Sequence, residues 1–312
     1  MNLRIAVVGS GAIGLYYGGK LAAGGRDVHF LLRSSLPAIR DRGLQIRGEN
    51  EDLRLKINCY PSTQEIGVCD LVLIAVKTIS NNELRDLIPP LLHQDTLLLT
   101  LQNGLGNEEF LAKNFGERRV LGGLCFICLN RILPDVVERY DYGHIHIGEY
   151  CREPEQRTHN IAETFNQCGL KCRLVENLGR ERWRKLVWNI PFNGLSIFGG
   201  GIDTSAILKD ENLHRSALAL MEEVMQAASK CGFPLESSTP EELIRRTEMM
   251  GAYKPSTLVD FEKGKPLEIE AIWGEPLRRG LAAGADLPRL QLLYSLLQFV
   301  DRACQEKATD RQ

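Results

Sequence analysis

Two groups of residues have the types and spacing to do chemistry. The first is Gly9-Ser10-Gly11-Ala12-Ile13-Gly14, a G-x-G-x-x-G string directly after the apolar run 3–8. Between a strand and a helix, Gly9 permits a tight turn and Gly11 lets the backbone approach a pyrophosphate. Gly14 lets the helix pack closely on the strand. The amides at the helix N-terminus would then face the phosphates with the positive end of the dipole behind them. A plain glycine turn is the alternative, and the strand–helix context argues against it. The second group lies in E-R-W-R-K-L-V-W-N-I-P-F-N, residues 181–193. Lys185, Asn189 and Asn193 fall at i, i+4 and i+8, on one face of a helix. Asparagine is a middling helix former, so two on one stripe ask for a reason beyond helix formation. A solvated polar stripe is the alternative. Trp183 and Trp188 read as core, and Pro191 is expected to kink the helix or end it soon afterwards.

The ends of the apolar runs point to the partner of the glycine string. An Asp or Glu closing the second strand, 27–32, would bind the ribose 2′-hydroxyl of NAD. The chain has Arg33 there, a cation that can pair with a 2′-phosphate, so NADP(H) is the expected cofactor. A solvated surface arginine is the other reading. Lys77 follows the run 71–76, and Asn103-Gly104 follows 97–102. In a parallel sheet the carboxyl ends of the strands share one edge, where ligands bind. Gly9, Arg33, Lys77 and Asn103 should therefore gather on one rim, unless Lys77 and Asn103 are ordinary loop residues.

These residues need a scaffold. The first half alternates short β-branched or apolar runs (3–8, 27–32, 44–47, 53–57, 70–76, 96–101, 120–129, 171–175) with helical patterns (11–23, 80–92, 108–115, 155–168). A hairpin is expected from 136–140 and 144–147 around Tyr142-Gly143. Alternation of this kind means α/β, a doubly wound Rossmann-type sheet. After Asn177 the strands stop, and 181–191, 213–230, 241–250, 256–263, 268–281 and 288–304 all carry helical periodicity. The expected organisation is a dinucleotide-binding domain, 1–176, followed by an all-α domain, 177–312.

Composition restricts the function classes. The chain has 312 residues, 44% apolar and 25% charged, with a formal net charge of −2. No basic surplus argues for nucleic acid, and no acidic tail argues for a solvating segment. No apolar run approaches the ~18 residues of a membrane helix, and the start of the chain does not read as a targeting signal. Nine cysteines form no framework, and Cys125-x2-Cys128 has no second pair, so no zinc site is expected. Buried free thiols in a reducing compartment, the cytoplasm, are the reading.

Taken together, the spaced motifs G-S-G-A-I-G, L-Q-N-G, W-R-K-L-V-W-N-I-P-F-N and S-T-L-V-D-F-E-K-G-K-P-L-E-I-E resemble the 2-dehydropantoate 2-reductase (ketopantoate reductase) family over nearly the whole chain. The resemblance implies a Rossmann domain followed by a helical domain, with the active site in the cleft between them. It implies NADPH-dependent reduction of 2-dehydropantoate, a small 2-keto acid, to (R)-pantoate in pantothenate biosynthesis. Lys185 matches the family's catalytic general acid, which partial burial would suit to that task by lowering its pKa. Glu268, the other half of the catalytic pair, matches the glutamate that holds the substrate hydroxyl. Asn189, Asn193 and Ser256 match substrate-binding residues, the serine near the carboxylate. Asn103 matches the asparagine beside the nicotinamide and the ketone, and Arg33 and Lys77 match basic residues that favour NADPH.

The chain departs from the family pattern at several positions. Pro255-Ser256-Thr257 stands where Ser-Ser-Met is frequent, and Val259 replaces a Gln. Leu267-Glu268-Ile269-Glu270 replaces Thr-Glu-Ile-Asp, and Trp273-Gly274 replaces Asn-Gly. Gly201-Ile202-Asp203-Thr204 occupies the region of a second Asn-Gly. The pocket wall is thus altered around an intact catalytic pair. Two alternatives are carried beside this reading: a 3-hydroxyacid-type dehydrogenase, which shares a Lys-x3-Asn face, and a non-catalytic NADPH-binding redox sensor. A homodimer is carried as one expectation.

Overall fold

The computed structural model describes residues 3–49, 51–140 and 143–309, with side chains described to residue 305. The chain divides into two compact units. One comprises residues 1–102 and 107–178, the other residues 103–106 and 179–312.

The first unit is built on an eight-stranded sheet of order β12-β11-β8-β7-β6-β1-β2-β5. Its strands are β1 (Arg4–Val8), β2 (Asp27–Leu31), β5 (Asn58–Tyr60), β6 (Leu71–Ile74), β7 (Leu97–Thr100), β8 (Val120–Phe126), β11 (His144–Glu149) and β12 (Lys171–Leu174). Every neighbouring pair is parallel except β11 on β8. The apolar runs follow from burial on both faces. In β1, Ile5 and Val7 enter one core while Ala6 and Val8 enter the other; in β6, Leu71 and Leu73 divide from Val72 and Ile74 in the same way. Helices α1 (Ala12–Ala23) and α6 (Gln156–Gln167) supply the first core. Helices α3 (Thr63–Ile66), α4 (Leu84–Leu87) and α5 (Asn107–Phe115) supply the second.

A second sheet, β4-β3-β10-β9, lies over α1. It comprises β3 (Leu44–Gly48), β4 (Glu51–Leu55), β9 (Leu129–Leu133) and β10 (Val136–Arg139), entered through helix α2 (Leu36–Arg42). Two adjacent helical glycines explain the tight layering. A Cβ on Gly18 would meet Phe30 and Val7 of the large sheet, and one on Gly19 would meet Ile46 and Leu44 of the small one. A helical glycine costs about 1 kcal/mol relative to alanine, and close approach on both sides gives the reason for it here.

Three local expectations are corrected. The strand expected over 120–129 ends at Phe126, and the chain resumes as β9 in the other sheet. The expected hairpin is absent: β10 pairs with β3 and β9, whereas β11 pairs with β8 and β12. Its turn residue Tyr142 lies outside the described residues. The helix expected over 80–92 is broken into a 3₁₀ turn (Thr78–Glu83), α4 and a second 3₁₀ turn (Pro89–Leu91). Pro89 and Pro90 lack amide donors and disfavour helical geometry before them.

The second unit is helical: α7 (Leu178–Phe198, whose first residue belongs to the first unit), α8 (Thr204–Lys209), α9 (Glu211–Lys230), α10 (Thr239–Met250), α11 (Ser256–Glu262), a π-helical turn (Glu270–Gly274), α12 (Glu275–Ala282) and α13 (Pro288–Thr309). Its core gathers Trp183, Val187, Ile190 and Phe192 of α7 with Met221, Val224, Leu258 and Trp273. Of the two outcomes expected at Pro191, an early end does not occur: α7 runs on to Phe198. The fully buried Ile190 and Phe192 flank the proline, and tertiary packing of this kind outweighs a missing helical hydrogen bond.

Candidate active site

In the first unit the glycine string forms the turn between β1 and α1, where strand order reverses between β1 and β6. Gly9 has φ +122°, and a Cβ there would collide with the backbone of Ala75 and Val76 on the neighbouring strand end. A Cβ on Gly14 would strike the carbonyl of Gly9. Gly11 is different: the nearest atom to a built Cβ is the Ala75 carbonyl, 3.9 Å away. Gly9 and Gly14 thus serve the protein's own packing, whereas Gly11 keeps space clear outside it. Gly11 is the N-cap of helix α1, which has no side-chain cap and no acidic residue in its first turn. Its first amides remain available to an anion. A dinucleotide pyrophosphate fits this loop on the geometry of the glycines and amides present.

Arg33 lies two residues past the end of β2, exposed, and its guanidinium makes an ion pair with Glu83 at 2.7 Å. Arg33 holds the Glu83 carboxyl below the usual carboxylate range, with help from Ser80. Lys77 follows β6 and heads the 3₁₀ turn Thr78–Glu83; its carbonyl accepts from the Ser80 amide at 2.9 Å. Gln102 braces the same strand ends. Its amide donates to the Val76 carbonyl at 3.0 Å and to Asn81 Oδ1 at 2.7 Å, and its Oε1 accepts from Thr100 at 2.9 Å. Glu83 carries no sequence signal that would have singled it out, and Gln102 stood only inside the L-Q-N-G motif, with no role assigned to it.

Asn103 is the next residue, and the segment 103–106 groups with the helical unit. There Lys185 Nζ donates to Asn103 Oδ1 at 2.8 Å, joining residues 82 positions apart in sequence. Two further contacts fix this pair. The Leu105 amide donates to the Ala271 carbonyl at 2.9 Å, and Gly104, with φ +83°, sits so close to Ala271 that a Cβ would overlap it. Ala271 belongs to the π-helical turn that starts two residues after Glu268, and turns of this type occur frequently at functional sites. Trp273 of that turn donates its indole N–H to the Ile190 carbonyl at 3.1 Å, so the stretch carrying Glu268 is tied to the helix carrying Lys185.

The Lys185 face is not solvated. Asn189 is 8% exposed and Asn193 is 2% exposed. The two differ in what their amides do. Asn193 accepts from the Thr257 amide at 3.1 Å and donates to the Asn189 carbonyl at 2.8 Å, so it holds the first turn of α11, where Ser256 stands. The Asn189 side chain has no hydrogen-bond partner among the described residues, and neither does the exposed Ser256 hydroxyl. A nearly buried amide without a protein partner is costly unless a ligand or water satisfies it. Half-buried Lys185, Asn103, Asn189 and half-buried Glu268 therefore present an ammonium, two amides and a carboxylate from one scaffold.

A parallel-rich sheet with an uncapped glycine loop at its switch point, joined to a helical unit with a half-buried Lys–Asn pair, defines an oxidoreductase that uses a nicotinamide dinucleotide. The family described as "Ketopantoate reductase PanE/ApbA" matches residues 5–152, and its C-terminal counterpart matches residues 177–301. The chain belongs to the ketopantoate reductase family. It is 37% identical to a 2-dehydropantoate 2-reductase of Nostoc sp., covering 96% of each chain. A 2-dehydropantoate 2-reductase crystal structure from Geobacter metallireducens is 43% identical with TM-score 0.92, covering 95% of this chain and 99% of that one. One from Methylococcus capsulatus is 31% identical with TM-score 0.90, covering 96% and 97%.

Proposed function

We propose that this chain reduces 2-dehydropantoate to (R)-pantoate, with residues 1–176 as the NADP-binding domain and 177–312 as the substrate and catalytic domain. Membership of the ketopantoate reductase family supports the reaction. The observation that carries the site is the Lys185 Nζ–Asn103 Oδ1 hydrogen bond of 2.8 Å beside the unpartnered amide of Asn189. When bound, NADPH supplies the hydride. Lys185 donates its proton to the carbonyl oxygen as negative charge forms there. Asn103 aims the ammonium and keeps it from swinging away. Glu268 accepts from the substrate's 4-hydroxyl, Asn189 donates to substrate oxygen, and Ser256 binds the carboxylate. Asn193 works through Ser256 by holding the start of α11. Gly9 to Gly14 seat the pyrophosphate, while Arg33 and Lys77 favour the 2′-phosphate.

The test is oxidation of NADPH by the purified protein, followed by absorbance, with 2-dehydropantoate and a panel of other 2-keto acids and 3-oxo acids. Turnover highest with 2-dehydropantoate is expected. Preference for a 3-oxo acid would move the chain to the 3-hydroxyacid reading, and tight NADPH binding without turnover would leave a sensor.

The same reading includes a homodimer and a cytoplasmic location. Leu292, Leu296 and Phe299 on one face of α13 are 62%, 40% and 65% exposed, an apolar row suited to a second copy. Light scattering after gel filtration should give twice the chain mass, and Leu296→Glu should halve it. No helix among the described residues is long and apolar enough to cross a membrane, and the thiols are free. Fractionation should place the chain with cytosolic markers.

A further inference from the structure

We propose that Arg131 is a dinucleotide-binding residue, a phosphate ligand of the glycine loop contributed by the small sheet. The proposal rests on the NADPH reading above and adds a residue to it.

The geometry starts from one contact. Arg131 Nη1 donates to the Ser10 carbonyl at 2.7 Å, across 121 positions of sequence. Ser10 stands between Gly9, which must be glycine to pass Ala75, and Gly11, which keeps open space beside the uncapped start of α1. The guanidinium is therefore held at the anion-binding turn itself. Local strand structure delivers it there. Along β9, Leu133 pairs with Val136 but Arg131 pairs with Val137, so Ile132 is an extra residue, a bulge directly beside Arg131. Bulges bend a strand and re-aim the neighbouring side chain.

Charge supplies the second argument. Arg131 is half-buried, and its bond to Ser10 is its one hydrogen bond among the described residues; no carboxylate pairs with it there. Other arginines of this unit have acidic partners: Arg42 pairs with Asp135, Arg139 with Glu51, and Arg157 with Glu149. A guanidinium offers five N–H donors in a fixed fork. One is spent on Ser10. A partly desolvated cation with donors to spare calls for an anion, and the adjacent loop is built to hold one. The matching chemistry is a phosphate oxygen of the pyrophosphate bridge, which NADPH and NADH share.

That shared group separates Arg131 from Arg33, whose target is the 2′-phosphate. Binding, not turnover, is the readout: dissociation constants of NADPH, NADH and adenosine 2′-monophosphate, by calorimetry or fluorescence, across a salt series. Arg131→Gln removes the charge and, being shorter, the reach to Ser10, so the salt dependence of binding separates a lost phosphate contact from a lost brace. The variant should weaken NADPH and NADH alike by about ten- to a hundredfold. It should also flatten the salt dependence of binding and leave adenosine 2′-monophosphate unchanged. Arg131→Lys should recover part of the loss. Arg131→Gln binding NADPH as the wild type does would overturn the proposal. So would a loss with unaltered salt dependence, which would make Arg131 a brace for Ser10. Wild-type protein that fails to bind NADPH would instead remove the cofactor reading on which this one stands.

Discussion

Lys185 and Glu268 are proposed to divide the chemistry, and their substitutions should fail differently. A positioned general acid contributes roughly 10²–10⁴ in rate, so Lys185→Ala should lower kcat within that range and leave NADPH affinity nearly intact. Wild-type kcat in that variant, with chemistry limiting the rate, would sink the assignment. Glu268→Ala should instead raise KM strongly for a 4-hydroxy-2-keto acid. With an analogue lacking the hydroxyl the penalty should shrink, because the lost contact was never made. Arg33 and Glu83 give a second residue-scale test, because the 2′-phosphate must compete with Glu83 for Arg33. Arg33→Ala should weaken NADPH about ten- to a hundredfold and spare NADH. Glu83→Gln should tighten NADPH by only a few-fold, since an exposed pair contributes at most about 1 kcal/mol. Equal losses of both cofactors in Arg33→Ala would place this arginine away from the phosphate.

At the scale of elements, the β1–α1 turn separates glycines that serve the fold from one that serves the ligand. Gly11→Val should fold, because its side chain would enter open space, and should no longer bind NADPH. Gly14→Ala should be the less stable protein, because its Cβ meets the Gly9 carbonyl inside the turn. Thermal unfolding and a cofactor titration of both variants check this; a stable Gly14→Ala or a binding-competent Gly11→Val would contradict the division. This turn was legible in the sequence because its constraints are local: a strand, a tight turn and a helix start within a few residues. The fate of 120–139 was not. A strand that leaves one sheet for another carries the same apolar residues as one that stays. The grouping of strands into a separate small sheet, the bulge at Ile132 and the reach of Arg131 to Ser10 therefore left no trace in periodicity.

For the whole molecule, the proposed split at residue 176 makes stability and cofactor binding separable. Trp273 is fully buried in the helical core, and Trp273→Ala should cost about 3–5 kcal/mol of stability. If 1–176 binds the cofactor by itself, the NADPH dissociation constant should stay within about twofold at temperatures where the variant remains folded. A parallel collapse of binding would argue against an autonomous cofactor domain. The thiols give a global check on packing. Burial pushes Cys69 up to about 11 and Cys172 up to about 12, so both should resist alkylation at pH 8. Cys151, exposed on a backbone with φ 56°, departs from the expected burial and should be modified first, as peptide mapping would show.

The sequence by itself determined the α/β-then-helical order, the glycine loop and the Lys185–Asn189–Asn193 face. Each is written in local spacing: period two or continuous apolar runs for strands, period 3.6 for helices, fixed offsets for the turn. Tertiary structure decided what each polar residue is free to do. Asn189 and Asn193 look alike on the helix, yet Asn193 is bound to the amide of Thr257 while the Asn189 side chain is left without a partner among the described residues. Arg33 and Arg131 are both arginines of the first unit, yet Glu83 engages one and a loop carbonyl engages the other. Periodicity reports which face a side chain is on. Whether its hydrogen bonds are already used depends on chain segments far away in sequence, and only the packed fold brings those segments within about 3 Å.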